Sequence, residues 1–474
     1  MHVLYVHQNF PAQFGHIAHH LVQKLGWKCS FLSETPGGTV GGIEKIQYKL
    51  QGGATKQNHF CSRTFENTVW HCDGAYHALK KRPDVRPDLI VGHSGFGSTL
   101  FLRELFPEVP VINFFEYFYK PHDQESDMDF RRDLGWHVPE MKYLRSYCRN
   151  AMILLDLQNC QLGYTPTDFQ AGKFPVEYQS KLRRIFDGVD RSVYHGFNEE
   201  LRPPVSGRGD RTVCGIQVPA DYRIISYCSR GFESMRGFDI FMRSVKLITQ
   251  QYERVKVIIV GTDRIAYGGD EQYLNGYKTF KEWVLAREQP FDLSNVAFVG
   301  RQDPRELARL MAMADLHIYL TVPFVLSWSM MDALSCGATV LASDTAPVRE
   351  MIREGENGLL ADFFSPEAFA EKALRVLQNP DEYRPLGRAA ERMIEERYSL
   401  DAVLPQMLAM YEEAQRMDTG VRKNTPMPSE PAIPPPPPLP VVTGQANLSR
   451  QQPPAPGPIQ AKVTPVQKRS PFRG

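Results

Sequence analysis

TVPFVLSWSMMDALSCG, residues 321–337, decides how this chain folds. It follows a short apolar run, LHIYL, that ends at Leu320 and reads as a strand. A polar turn comes next. A helix then opens at the serines Ser327 and Ser329, with Trp328 between them and Asp332 inside its first turns. Free backbone N–H groups at a helix N-terminus bind phosphate. A carboxylate nearby can accept from the two adjacent hydroxyls of a ribose. Strand, turn, helix start and acid together point to a pocket for a nucleoside diphosphate. A plainer reading stands beside it: Ser329 and Asp332 are three apart, the spacing of a capping box. The ligand reading gains weight because the rest of the chain supplies the other half of such a pocket.

Working outward, the chain has 474 residues, enough for two or three domains. Hydrophobic residues make up 42% and charged residues 23%, the balance of a globular protein rather than a disordered one. A net charge of +1 gives no pull toward nucleic acid. That charge is uneven: residues 418–474 carry seven Lys or Arg against two Asp or Glu, which leaves the remainder negative. The eight cysteines (29, 61, 72, 148, 160, 214, 228 and 336) form no CxxC and no Cys/His group with zinc spacing. They read as small core residues of a reducing compartment. The chain starts on a strand-like HVLYV without the cationic and apolar regions of a signal peptide, and no run of 18 apolar residues occurs. The expectation is a cytoplasmic protein.

Short apolar runs alternate with amphipathic segments almost throughout. The first series is 2–6, 28–33, 88–93, 109–115, 160–167 and 182–189; the second is 223–229, 255–262, 296–300, 316–321, 338–344 and 358–362. Helical patterns lie between them, as at 236–252, 303–314, 366–378 and 382–396. Continuous Val/Ile/Leu strands between helices predict parallel sheets covered on both faces. Two series predict an α/β chain of two doubly wound, Rossmann-like domains, 1–195 and 196–398. The stretch NEELRPPVSGRGDRT (198–212), with Pro, Gly and charge but no periodicity, reads as the linker. Ligands of open α/β sheets bind at the carboxyl ends of the strands, so the two domains should face one interdomain cleft. Residues 117–150, rich in aromatic and basic side chains, look inserted; they read as a solvated surface segment or as a lid that recognises an acceptor. Residues 418–474 hold fifteen prolines, with PPPPPLP at 434–440, and are expected to form a disordered, Pro-rich tail. A passive tail and a ligand for a proline-reading partner are both open.

Arg230 and Arg236 lie in SYCSRGFESMRGFDIFMR, where a strand ends and a helix begins. Guanidinium forks there can clamp a diphosphate. The alternative is a pair of surface arginines, but a cation near a helix start works against the helix dipole. Gly261 and Gly300 end two further strands, and the turn ASDTAPVRE brings Glu350 toward the same edge. In the first domain His7, Gln8, Asn9 and Gly15 follow the first strand, and His93 begins the turn GHSGFGST. Gly95 and Gly97 echo part of GxGxxG, but the third glycine is missing, so a nicotinamide site is not read there.

Taken in order, these landmarks resemble glycosyltransferase family 4, the group 1 retaining transferases with the GT-B fold. They are the N-terminal strand and loop, DGVD (187–190), SRGFESMRGFDIFM, VIIVGT, VAFVGRQDPRELARLMAMADLHIYLT and MMDALSCGATVLASD. The resemblance covers most of 1–415. It implies a nucleotide-diphosphate sugar as donor, with no cofactor and no metal beyond it. The acceptor would be a glycan, a lipid or a small molecule. It also implies a last helix, 399–417, that crosses back to brace the first domain. In its terms Arg230 and Arg236 meet the donor phosphates, the backbone of Gly300 and Arg301 meets the base, and Asp332 stands for the second of two family glutamates. The first of those glutamates aligns with Phe324, which has no acid, and a family histidine finds Glu116 in its place. His93 is the catalytic candidate of the first domain. A sugar-nucleotide epimerase or hydrolase, and a catalytically silent scaffold with a partner-binding tail, remain the other readings. Contact of the basic tail with an anionic membrane surface also stays open.

Overall fold

A computed structural model describes residues 1–123, 125–196, 203–267 and 269–420. The expected tail from 421 onward, and 198–202 of the expected linker, lie outside the described residues.

The first series of apolar runs builds one sheet. Its strands are β1 (His2–Val6), β2 (Lys28–Ser33), β3 (Gly38–Val40), β4 (Ile43–Gln47), β5 (Leu89–His93), β6 (Val111–Phe114), β7 (Leu162–Thr165) and β8 (Leu182–Arg184), in the order β3-β4-β2-β1-β5-β6-β7-β8. Every pairing is parallel except β3 with β4. All five residues of β1 are buried, as a central strand covered on both faces must be. The second series builds β11 (Arg223–Cys228), β12 (Val255–Val260), β13 (Val296–Gly300), β14 (Leu316–Tyr319), β15 (Val340–Ser343) and β16 (Leu359–Ala361), all parallel, ordered β13-β12-β11-β14-β15-β16. Between the sheets a short hairpin, β9 (Arg211–Val213) with β10 (Ile216–Val218), stands apart.

Local chemistry sets the helix starts of the second lobe. Asp303 accepts from the N–H groups of Arg305 and Glu306, with Pro304 at the first helical position, and so opens the helix Pro304–Met313. Ser365 does the same ahead of Pro366–Gln378. The helix Pro380–Met393 runs into a π-helical turn, Ile394–Tyr398, and the final helix Leu400–Arg416 packs against the first sheet. Tyr5 on β1 and Tyr411 on that helix meet hydroxyl to hydroxyl at 3.3 Å. One buried apolar cluster therefore runs from Phe14 and Phe31 through Met407 and Tyr411 to Met330 and Leu334, joining the two lobes.

One reading changes. Residues 117–150 are no separate insertion: their second half is the start of the helix Glu140–Asn159, which packs on the first sheet. Ahead of that helix, Tyr119, Asp123 and Asp129 stay bonded to the first lobe, while a strap at 130–137 lies on the second. Arg131 fastens it there, with both terminal nitrogens on Asp239, at 3.0 and 2.6 Å, and a further bond to the Ser234 carbonyl. Trp136 stacks on Tyr273 at 4.7 Å.

Candidate functional site

The carboxyl ends of both sheets face the same cleft. On the second lobe, Ser327 caps the helix Trp328–Ser335 by accepting from Ser329 N, and its own N–H donates to the Tyr319 hydroxyl. The two serine hydroxyls share a 2.9 Å hydrogen bond. Asp332 lies one turn further in. Among the described residues no donor reaches its carboxylate, and burial pushes its carboxyl up to about 8. The capping-box reading is thereby corrected: the cap is Ser327, because the helix begins two residues before Ser329 could serve. Trp328, half exposed, donates its Nε1 to Asp187 of the first lobe at 2.8 Å. Asp187 Oδ1 is buried without a partner, and burial pushes that carboxyl up to about 7.

The two arginines divide their work. Arg236 is buried; it donates to Thr321 Oγ1 at 2.6 Å and to the Val325 carbonyl at 3.1 Å. Its fork thus shapes the loop that leads to Ser327. Arg230 is exposed and, among the described residues, donates only to the Tyr267 hydroxyl, at 3.3 Å. Both guanidinium groups flank the Tyr267 ring, at 6.0 and 5.5 Å. Phe324 stands between Tyr267 and Tyr117, with ring centres 5.7 and 4.7 Å away, so the place of the family's first glutamate is filled by an aromatic cluster spanning the cleft.

From the first lobe Glu116 follows β6. Burial raises its carboxyl, and Arg230 and Arg236 across the cleft pull it back down. Ser94, Gly95 and Phe96 line a cavity of about 520 Å³ together with Glu116, Tyr267 and the helix Glu140–Asn159. Asp156 fixes that loop by accepting from Ser94 Oγ and Ser98 Oγ at 2.8 and 2.7 Å. His93 stands one layer behind: it is buried against His7, Phe96 and Phe114, its Nδ1 donates to the Ser94 carbonyl, and burial followed by the nearby His7 pushes its imidazole down to about 3.

The remaining residues expected at the site fall in three places. Gly300, with φ at +68°, and Arg301 sit exposed at the end of β13. Gly261 answers to packing: a Cβ there would lie 2.2 Å from the Ser229 carbonyl oxygen, so only glycine lets the ends of β11 and β12 approach. Glu350 corrects the expectation. Its two carboxylate oxygens accept from the N–H groups of Asp168 and Phe169, at 2.7 and 2.9 Å, which leaves it a cap for the first lobe's helix Asp168–Lys173. Tyr267 and the Arg131–Asp239 pair were not read from the sequence; they lie in loops whose composition carries no periodic signal.

Two doubly wound lobes with facing strand ends and a returning last helix make this a GT-B protein. A sucrose-phosphate synthase from Thermosynechococcus elongatus shares the fold with a TM-score of 0.63 at 16% identity, over 87% of this chain and 98% of that one. Anabaena HepE in complex with UDP-glucose shares it with a TM-score of 0.59 at 14% identity, over 87% and 100%. The family models for the glycosyl transferase family 4 group and for glycosyl transferases group 1 match residues 25–193 and 216–393. The chain belongs to glycosyltransferase family 4, group 1. Spore coat protein SA of Bacillus subtilis (strain 168) is 24% identical over 245 residues, 51% of this chain and 61% of that protein. The chain spans about half the length of the curated relatives it matches.

Proposed function

We propose that the protein is a retaining glycosyltransferase that moves a sugar from a nucleotide-diphosphate sugar to an acceptor hydroxyl without a metal ion. The observation that carries this is Asp332, a half-buried carboxylate that no donor among the described residues engages, one turn inside a helix whose start faces the cleft. Asp332 accepts from the ribose hydroxyls, and the backbone at Gly300 and Arg301 meets the base. The diphosphate lies between Arg230 and the N–H groups at Ser327–Ser329. Arg236 holds the loop that presents them.

In the transfer the acceptor oxygen bonds to the anomeric carbon as the bond from that carbon to the diphosphate oxygen breaks. The acceptor's proton passes to the departing diphosphate on the same face, which retains configuration. A donor group aimed at developing charge contributes about 3 kcal/mol to such a step. Arg230 and the helix start supply that charge stabilisation, a role a divalent cation fills elsewhere. Glu116 and Asp187 on the opposite wall are placed to accept from sugar or acceptor hydroxyls, where Phe324 offers nothing. UDP is the first nucleotide to try, given the fold likeness to HepE in complex with UDP-glucose.

The test is calorimetric titration with UDP, GDP and ADP, followed by turnover of the matching sugar nucleotides with and without EDTA and with and without acceptor. Transfer that survives EDTA and needs an acceptor is expected. Donor consumption without acceptor would point to a hydrolase or epimerase, and no nucleotide binding at all would overturn the reading.

A further inference from the structure

The helix Glu140–Asn159 turns Lys142, Arg145 and Arg149 toward the cavity. Their spacing, three and then four residues, puts them on one face. Among the described residues no carboxylate lies within ion-pair distance of any of them, while twenty-three such pairs occur elsewhere. Arg145 donates once, to Thr64 Oγ1 at 2.9 Å, and its Nε is buried with no partner. Burial, then the like charges of Arg149 and Arg63, weaken its hold on its proton. Arg149 lies over the Tyr119 ring at 3.6 Å and bonds its hydroxyl. Lys142 lies over Tyr273.

The cavity also holds acids, and the cations feel them without bonding them: Arg149 draws on Asp127 and Glu116, and Asp270 draws on Lys142, all beyond ion-pair distance. Asp270 accepts from Ser234 N and Oγ, and Asp127 accepts from the Tyr117 hydroxyl. Burial raises the carboxyls of Asp127, Asp270 and Glu116 alike. Like charges held together without a directly bonded carboxylate burden a fold, and a bound anion relieves that burden. Arginine forks match the oxygens of a phosphate, and carboxylates accept from hydroxyls.

We propose that this cavity binds the acceptor, and that the acceptor is a polyol or sugar bearing a phosphate, held through that phosphate by Arg145, Arg149 and Lys142 while Glu116 and Asp127 receive its hydroxyls. The proposal rests on the transferase reading for the word acceptor; the anion site itself does not. The same chemistry could come from a free sugar phosphate or from a phosphoinositol headgroup.

Calorimetry on the full chain tests it, with glucose 6-phosphate, glucose and inorganic phosphate as probes, and with phosphatidylcholine vesicles with and without phosphatidylinositol. Wild type, Arg145→Gln, Arg149→Gln and Arg230→Ala are compared, with melting temperatures to check folding. Arg149 is exposed, so its variant carries the test if Arg145→Gln folds poorly. The expected result is that glucose 6-phosphate binds, glucose does not, and affinity falls about tenfold in either helix variant but not in Arg230→Ala. The same dependence seen only with phosphatidylinositol vesicles assigns the phosphate to a lipid headgroup. Equal affinity in all four proteins, loss confined to Arg230→Ala, or no phosphate binding in any form overturns the proposal. Phosphate binding that persists while no nucleotide binds would sink the transferase reading and leave this site standing.

Discussion

Replacing Asp332 by asparagine should make the free protein more stable and its nucleotide binding weaker. Burial moves the Asp332 carboxyl from 3.8 to about 8 in the folded chain. For an acid with a raised folded pKa, ionisation favours the unfolded state. The burden is absent below about pH 4 and grows as pH rises toward 8. Between 3.8 and pH 7 lie about three pH units at 1.36 kcal/mol each, or about 4 kcal/mol. The side chain is only partly covered, and solvent screening leaves on the order of 2 kcal/mol. For a lobe of this size that is a rise in melting temperature of about 4–8 °C. Asparagine keeps the shape and has no charge to bury, so scanning calorimetry should show a gain several times larger at pH 8 than at pH 5. Binding moves the other way. The ionised carboxylate is the form that accepts from two ribose hydroxyls, so wild-type affinity for the nucleotide should tighten from pH 6 to 8 with release of a proton. In Asp332→Asn it should be weaker and flat with pH. A stability gain that is the same at both pH values, or an unchanged nucleotide affinity, would refute the reasoning.

Other outcomes follow from the same geometry. Arg230→Ala should cut turnover on the order of a hundredfold with no change in melting temperature, because that side chain is exposed and its bond among the described residues is to Tyr267. Arg236→Ala should lose turnover and stability together, since the Thr321 and Val325 bonds go with it; equal melting temperatures would mean the loop holds itself. Glu350→Ala should cost about 1 kcal/mol in denaturant unfolding through the lost cap on Asp168 and Phe169, with nucleotide affinity unchanged. Arg131→Ala should cost about 3–5 kcal/mol by stranding buried Asp239, and Arg131→Ala with Asp239→Ala should recover part of it. A chain ended after Gly420 should match the full protein in turnover on a soluble acceptor; lost turnover would mean that the proline-rich segment serves the site.

What could be read in advance follows from which forces act locally. The central strands were legible because burial on both faces demands unbroken runs such as VKVIIV in β12. The edge strand β3 and its neighbour β4 were not: GTV is exposed and IEKIQ mixes charge with isoleucine, so neither carries the signature of a covered sheet. The loop from Thr321 to Ser329 was placed correctly against its strand and helix, but the cap was set at Ser329 because that serine stands at capping-box spacing from Asp332, while the backbone turns into the helix at Ser327. Glu350 shows the limit most plainly. Its position after β15 points at the cleft in any doubly wound lobe. That another lobe's helix would bring two unbonded N–H groups to it is a fact of docking, written in no local pattern. The strap at 130–137 is the same case: DMDFRRDLGW looks like a solvated loop until Arg131 is seen beneath it on Asp239.

The chain passes from one lobe to the other at Val189 and returns at Ser399, and the two passages are bonded side by side. Val189 N donates to the Tyr398 carbonyl at 2.8 Å and Leu400 N to the Val189 carbonyl at 3.0 Å. Gly188 lets them touch, for a Cβ there would lie 2.6 Å from the Leu400 side chain. Two parallel strips stitched along one line behave like the spine of a book. The covers can swing about that line, while sliding or twisting would tear the stitches. A swing about that line has to release Trp328 from Asp187, Arg131 from Asp239 and Glu350 from Asp168 and Phe169. A protease that cuts one passage leaves the other holding, so a nicked molecule should elute at its full size until denaturant separates the halves.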